Sequence, residues 1–414
     1  MKVRLVALAA CLLGVMVLFA FGLYTYTIAI GYLAKELHLS DATVGFLGAS
    51  PLLGQLPIAL IGGMAVDRLG PVPVLTASAA AGVGLLVVAA YSALQPAPLF
   101  AIGLLIGLSV SSLSAVATKL AVIYFPFKRR GLVTSLGMAG ITVGLFIDAT
   151  LLPRVLQSQG WKGALLLMAI LMAGVAAAAA AGIALLTRGL PRHVTAGVTT
   201  TLGKQPGFWR AVSRREVVNL NLVGFTFGVM ALTVLVFFIP FVRSRLSLSL
   251  VEAGNLLALT QLGGSLARPT IGGLSDLLGR SLRYPLFLLI ALVAAGMVFL
   301  FTATGPALPG FARNTFFIVF GVVAYGWVGL YYALFSQLVP AQFAGSAAGL
   351  GSTSNQAGTA FGPLAVGSFA DFTGSLAFAI QAAAALHALV VLAALAMLFK
   401  RSPPVDQRRF DHAG

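Results

Sequence analysis

The chain has 414 residues, of which 59 % are hydrophobic and only 9 % charged, and its mean hydropathy is +1.01. A soluble domain carries roughly a quarter charged residues, so this composition cannot clothe a protein for water, and lipid must be the solvent for much of its outside. The net charge of +16 comes from 26 Lys and Arg against 10 Asp and Glu, placed in short clusters between apolar runs. A nucleic-acid partner needs its basic residues on one solvated face, so this pattern speaks against one and reads as a topology signal instead.

A membrane-spanning helix needs about 20 mostly apolar residues. Twelve such stretches follow one another, and helix is the only choice because lipid cannot satisfy open backbone groups and alternating barrel strands are absent. The N-terminus has the look of a signal peptide, with Lys2 and Arg4 ahead of an apolar stretch. That stretch runs too long and leads to no cleavage site, so it is expected to be the first span. The first six spans are predicted over 5–33, 42–66, 72–94, 97–125, 131–155 and 162–187. The second six are predicted over 217–242, 249–275, 284–304, 314–338, 345–370 and 375–399.

Between the sixth and seventh spans lies the only long polar stretch, with Pro191, Pro206 and a Thr run. It divides the chain into an expected N-terminal six-helix bundle (1–187), a cytoplasmic linker (188–216), a C-terminal six-helix bundle (217–399) and a polar tail (400–414). With the N-terminus inside, eighteen Lys and Arg fall on the cytoplasmic side and six on the other. This bias fits both termini in the cytoplasm and an even number of spans. The expected location is the cell's inner membrane.

Two loops repeat. Gly63-Met64-Ala65-Val66-Asp67-Arg68-Leu69-Gly70 follows the second span, and Gly272-Gly273-Leu274-Ser275-Asp276-Leu277-Leu278-Gly279-Arg280 follows the eighth. Asp67 and Asp276 are 209 positions apart, close to half the chain. Duplicated halves mark many secondary transporters, with the solute site between them near the midplane. Gly63 and Gly272 permit close helix approach. Asp67 and Asp276 sit at the membrane edge, where a carboxylate accepts backbone N–H bonds at a helix start and pairs with a nearby Arg. The reading is a pair of gating latches, against plain turns with solvated charges.

The repeated loop resembles the signature of the major facilitator superfamily, and Phe125-Pro126-Phe127-Lys128-Arg129-Arg130-Gly131 resembles that family's loop between helices four and five. The resemblance implies an all-α fold, twelve transmembrane helices in two six-helix bundles related by a pseudo-two-fold axis, which rock about a central cavity. It also implies that helices one, four, seven and ten line the cavity. A narrower likeness, to the monocarboxylate-transporter and oxalate/formate-antiporter branch, rests on Phe21-Gly22-Leu23-Tyr24, Ala267-Arg268-Pro269, Gly362-Pro363 and Asp371-Phe372-Thr373-Gly374. In that branch the helix-eight Arg grips a substrate carboxylate. The chain differs from the branch in having Val72-Pro73-Val74 after Pro71, and no Lys within helix one or eleven.

Three charged residues are hard to place anywhere but well within predicted spans, Lys119, Asp148 and Arg268. Each costs a few kcal/mol at mid-membrane and is therefore a functional candidate. Arg268 lies about 12 Å above the end of its helix. Its planar fork suits a carboxylate, against a snorkelling or internally paired Arg. Lys119 lies about 9 Å from its helix end and is either a second cation for an anionic solute or a snorkelling side chain. Asp148 is a candidate proton carrier, against a carboxylate in an outward-facing vestibule or paired with Arg154. Tyr24 and Tyr331 are candidate hydrogen-bond donors to substrate, against helix-packing contacts. The Gly137, Gly140, Gly144 series and Gly349, Gly351 and Gly358 fit either sliding halves or static packing.

No phosphate-binding loop and no nucleophile–base constellation is present, so no enzyme is expected. The lone Cys11 and the scattered His38, His193, His387 and His412 leave no metal framework, and no cofactor is expected. The leading expectation is a secondary transporter of a small organic anion, with protons as candidate coupling ions, working as a monomer in the bilayer. The alternatives are transport of a non-anionic solute such as a drug, sugar or siderophore, or a transporter-like sensor.

Overall fold

A computed structural model describes residues 2–34, 36–56, 58–125, 127–188, 190, 207–277, 280–303, 308–340 and 343–399. Regular structure among them is helical throughout. In the first half, α1 (Lys2–Leu33) is followed by α2 (Asp41–Gln55), α3 (Ile58–Leu69), α4 (Pro71–Tyr91), α5 (Pro96–Val110), α6 (Ser112–Tyr124) and α7 (Phe127–Leu186). A short α8 (Phe208–Val212) precedes the second half. That half contains α9 (Arg215–Leu246), α10 (Leu250–Leu277), α11 (Arg280–Ala303), α12 (Gly310–Leu338), α13 (Ala344–Thr373) and α14 (Leu376–Phe399).

Local chemistry sets the ends. Pro71 and Pro96 open α4 and α5, where a missing N–H costs nothing. Ser40 caps α2 through its hydroxyl. Before α10, Ser249 and Glu252 form a reciprocal capping box: the Glu252 carboxylate accepts from the Ser249 N–H at 2.9 Å, and the Ser249 hydroxyl accepts from the Glu252 N–H at 3.2 Å. Gly160, at φ 68°, turns the chain inside α7 and makes it two passes rather than one.

Eight described helical stretches are long and apolar enough on hydropathy alone to cross a membrane, and one of them, Leu136–Leu186, contains both passes of α7. The α2–α3 pair, α10 and α13 supply the other spans, so twelve helices cross. α10 and α13 are rich in Gly, Ser, Thr, Asn and Gln. They can be so because they pack largely against other helices rather than lipid.

The two halves repeat the same packing. A Cβ on Gly54 or Gly107 would run into the Leu104 or Pro51 carbonyl between α2 and α5. A Cβ on Gly263 or Gly321 would likewise run into the Ile318 or Thr260 carbonyl between α10 and α12. The second and fourth spans of each half thus meet by the same reciprocal glycine device. Gly140 and Gly144 pack on α1, and Gly358 packs on α9. These glycines join helices within a half, so of the two readings open from sequence, static packing is the one found.

The near face holds the start of α1 and the turn between α3 and α4, and the far face holds the turn between α1 and α2. At the far face the halves touch. The Asp371 carboxylate of α13 accepts from the N–H groups of Asp41 and Ala42 at 2.9 and 3.1 Å, capping α2 from the opposite half. Arg154 donates to Asn255 Oδ1 at 3.1 Å, and Gly45 and Gly367 meet Pro363 and Asp41 backbone directly. Toward the near face a cavity of about 430 Å³ opens between Gln55, Asp67, Lys119, Ser352 and Gln356.

Candidate functional site

Arg268 lies on α10 at the seam between the halves. Its Nη1 donates across that seam to the Met138 carbonyl of α7. Its Nε is shut off from solvent and has no hydrogen-bond partner among the described residues. Among the described residues, the groups that interact with its charge are three phenols, Tyr24 of α1 and Tyr325 and Tyr332 of α12, with no carboxylate. Tyr325 accepts from Gln261 Nε2 at 2.9 Å, and the other end of that amide, Oε1, is buried without a partner among the described residues. Tyr332 bonds Ser352, which lines the near-face cavity. The result is a cluster of one guanidinium and three phenols at the seam, linked through Tyr332 and Ser352 to the lining of the near-face cavity.

Helix geometry explains the membership. Gln261 and Arg268 are seven residues apart on α10, as are Tyr325 and Tyr332 on α12, so each pair shares one helix face. That spacing was readable in the sequence, yet Gln261 and Tyr325 were not among the expected residues. Tyr331, one residue from Tyr332, is turned about 100° away. It is fully buried among Phe287, Trp327 and Phe335, and its hydroxyl donates to the Gly351 carbonyl at 2.9 Å. In this structure Tyr331, expected as a substrate contact, lies in the core of the second half. Tyr24 is half-buried and stays in the site.

Lys119 lines the near-face cavity, where its ammonium forms an ion pair with Asp67, reaching from α6 to α3. The expected second free cation is thus neutralised within the first half, and the expected Arg partner of Asp67 is replaced by a Lys. Arg68 is exposed beside it. Gly63, Gly272, Asp276 and Arg280 lie on helices, but their side chains fall outside the described ones.

Asp148 is fully buried on α7 and accepts from the Thr25 hydroxyl of α1 at 2.9 Å. Neither environment expected as the alternative to proton carriage, an aqueous vestibule or a pair with Arg154, is what surrounds it. Arg154 is engaged by Thr150 and Asn255.

A family model described as Major Facilitator Superfamily matches residues 10–363. The chain belongs to the major facilitator superfamily. Membership makes it a membrane transporter of small-molecule solutes and not an enzyme. No curated protein sequence matches the chain. Among solved structures, a bacterial homologue of the human lysosomal transporter Spinster, in an inward-facing and occupied conformation, is similar at TM-score 0.71 and 17 % identity, over 96 % of this chain and 98 % of that one. The nucleoside transporter NupG is similar at TM-score 0.70 and 17 % identity, over 97 % and 100 %. At such identities the likeness is one of fold.

Proposed function

We propose that the chain is a secondary transporter that carries a small organic anion, of monocarboxylate type, by alternating access. Arg268 carries this reading. It is a cation at the seam of the halves, with phenols around it and, among the described residues, no partner for its Nε and no carboxylate interacting with its charge. A buried charge is costly unless paired, and a carboxylate matches the guanidinium fork in a bidentate way. A bound carboxylate would take the place of the Met138 carbonyl on Arg268, which loosens the tie between α10 and α7 as the site fills. Tyr24 and Tyr332 would add hydroxyl donors.

The near face is assigned to the cytoplasm. The clustering of Lys and Arg supports this, as does the fold likeness to an inward-facing Spinster homologue. Both termini then lie in the cytoplasm and the protein sits in the inner membrane, captured open to the inside. The bundles are residues 1–187 and 217–399, joined by the linker 188–216 and followed by the tail 400–414. Gly63, Asp67, Arg68 and Lys119 from the first half, with Gly272, Asp276 and Arg280 from the second, would form the cytoplasmic gate.

Equilibrium binding to the purified protein tests the solute class, using short carboxylates, nucleosides, sugars and cationic drugs. Carboxylates are expected to bind, and Arg268→Ala to weaken them by about 2 kcal/mol or more, the scale for losing a buried charged partner. Arg268→Lys should be damaging as well, because the fork is lost. Binding of a neutral or cationic solute that ignores Arg268→Ala would replace the anion reading with the non-anionic one.

A further inference from the structure

Another cavity, of about 420 Å³, opens at the far end of the seam. It is lined by Phe146 and Thr150 of α7, by Glu252, Asn255 and Leu259 of α10, and by Arg313 of α12. Its walls thus come from both halves, and Arg154 of α7 reaches across to Asn255 at 3.1 Å. Arg313 and Glu252 bring opposite charges to this one cavity. The charge of Arg313 acts on the Glu252 carboxylate, yet among the described residues no ion pair joins them. The Ser249 hydroxyl holds Glu252 in place at 2.7 Å. The Arg313 Nε is shut off from solvent with no hydrogen-bond partner among the described residues. A cation and an anion held apart in one cavity complement a zwitterion.

Helical phase shows which way the cavity opens. Glu252, Asn255, Leu259, Leu262 and Leu266 follow the three- and four-residue spacing of a single stripe on α10. Arg268, nine residues after Leu259, is turned about 180° from it, as Gln261 is from Glu252. The stripe therefore faces away from the Arg268 site. Its far end is polar, and deeper along it Leu262 and Leu266 are 40 % and 56 % exposed. Leu262 lies ten residues, about 15 Å, below Glu252, which is the depth of one leaflet of a roughly 30 Å hydrocarbon core. Exposed leucines at that depth, on the side turned from the central site, face acyl chains. The cavity is thus charged where headgroups lie and apolar where chains run.

We propose that this groove binds one far-leaflet phospholipid with a primary-amine headgroup, of the phosphatidylethanolamine class. Its phosphate sits on the Arg313 guanidinium, whose planar fork suits phosphate oxygens. Its ammonium donates to the Glu252 carboxylate, and one chain lies along Phe146, Leu259 and Leu262. A choline headgroup carries the same charges but has no N–H to donate to Glu252. The bound lipid touches both halves where they meet at the far face. The proposal is independent of what the solute is.

The test is native mass spectrometry of the purified protein, read as the affinity of the first molecule bound. The probes are dioleoyl phosphatidylethanolamine, dioleoyl phosphatidylcholine and chain-free O-phosphoethanolamine. The ethanolamine lipid should bind a few-fold tighter than the choline lipid, the scale of one exposed ion pair. The chain-free headgroup should bind at least about tenfold more weakly than the ethanolamine lipid, because it buries no methylenes. Arg313→Ala should weaken both lipids by at least about tenfold, the scale for losing a charged hydrogen-bond partner. Glu252→Gln keeps the helix cap, since Gln serves a capping box as Glu does, and should remove the preference for ethanolamine over choline. Arg268→Ala should leave both lipids bound as before, which separates this outcome from the anion reading. Should Arg313→Ala fail to fold, the Glu252→Gln comparison decides. No preference for the ethanolamine lipid in the native protein, a preference that survives Glu252→Gln, unchanged lipid binding in a folded Arg313→Ala, or a chain-free headgroup bound as tightly as the lipid overturns the proposal.

Discussion

The far seam and the near mouth are made by the same two halves, yet they use different chemistry. The far seam closes on backbone: glycine against carbonyl at Gly45 and Gly367, and the Asp371 carboxylate on two N–H groups of α2. The near mouth presents side chains to a cavity, and its ion pair, Asp67 with Lys119, lies within one half. Backbone contacts of this kind form only at close range and so behave as a two-state latch. A solvated ion pair within one half does not tie the halves together.

Gly45→Val should have the largest effect, because its side chain would occupy the place of the Pro363 carbonyl. The far face can then no longer close, the distance between spin labels at His38→Cys and Phe372→Cys, exposed far-face positions in opposite halves, should stay wide, and uptake should fall at least about tenfold, while helical circular dichroism is retained. Normal uptake in that variant would break the contrast drawn between the two faces. Asp371→Ala removes a two-bond cap worth about 1–2 kcal/mol, so the far-open population should rise by roughly tenfold in the same distance measurement. Asp67→Asn comes last. Its side chain is 65 % exposed and that of Lys119 31 %, so the pair is worth less than about 1 kcal/mol and is screened by salt. Its effect on uptake should stay within about threefold at low salt and fade at high salt; a large salt-insensitive loss would show that the near mouth is latched as firmly as the far seam.

The fold was legible because lipid imposes a length and a composition on each span. The apolar runs placed most helix ends within a few residues, as at 314–338 against Gly310–Leu338. The two least apolar spans, α10 and α13, were legible in the same way, as 249–275 and 345–370 against Leu250–Leu277 and Ala344–Thr373. The site was legible only in part. Arg268 declared itself as a charge in an apolar run, and Tyr24 as a polar residue in a cavity-lining helix. Tyr325 and Tyr332 share a face with each other only through helical phase, which residue type alone does not carry. The Asp67–Lys119 pair spans 52 positions and the Asp371 cap 330. No local pattern encodes such meetings, which depend on how twelve helices pack.

The most direct test of the anion reading is uptake by proteoliposomes of a labelled short carboxylate, comparing the native protein with Arg268→Ala. Saturable uptake by the native protein that is lost in the variant is the predicted result. Equal carboxylate uptake by both proteins, or none by the native protein alongside transport of a neutral solute, would contradict it and leave Arg268 as a tie between α10 and α7.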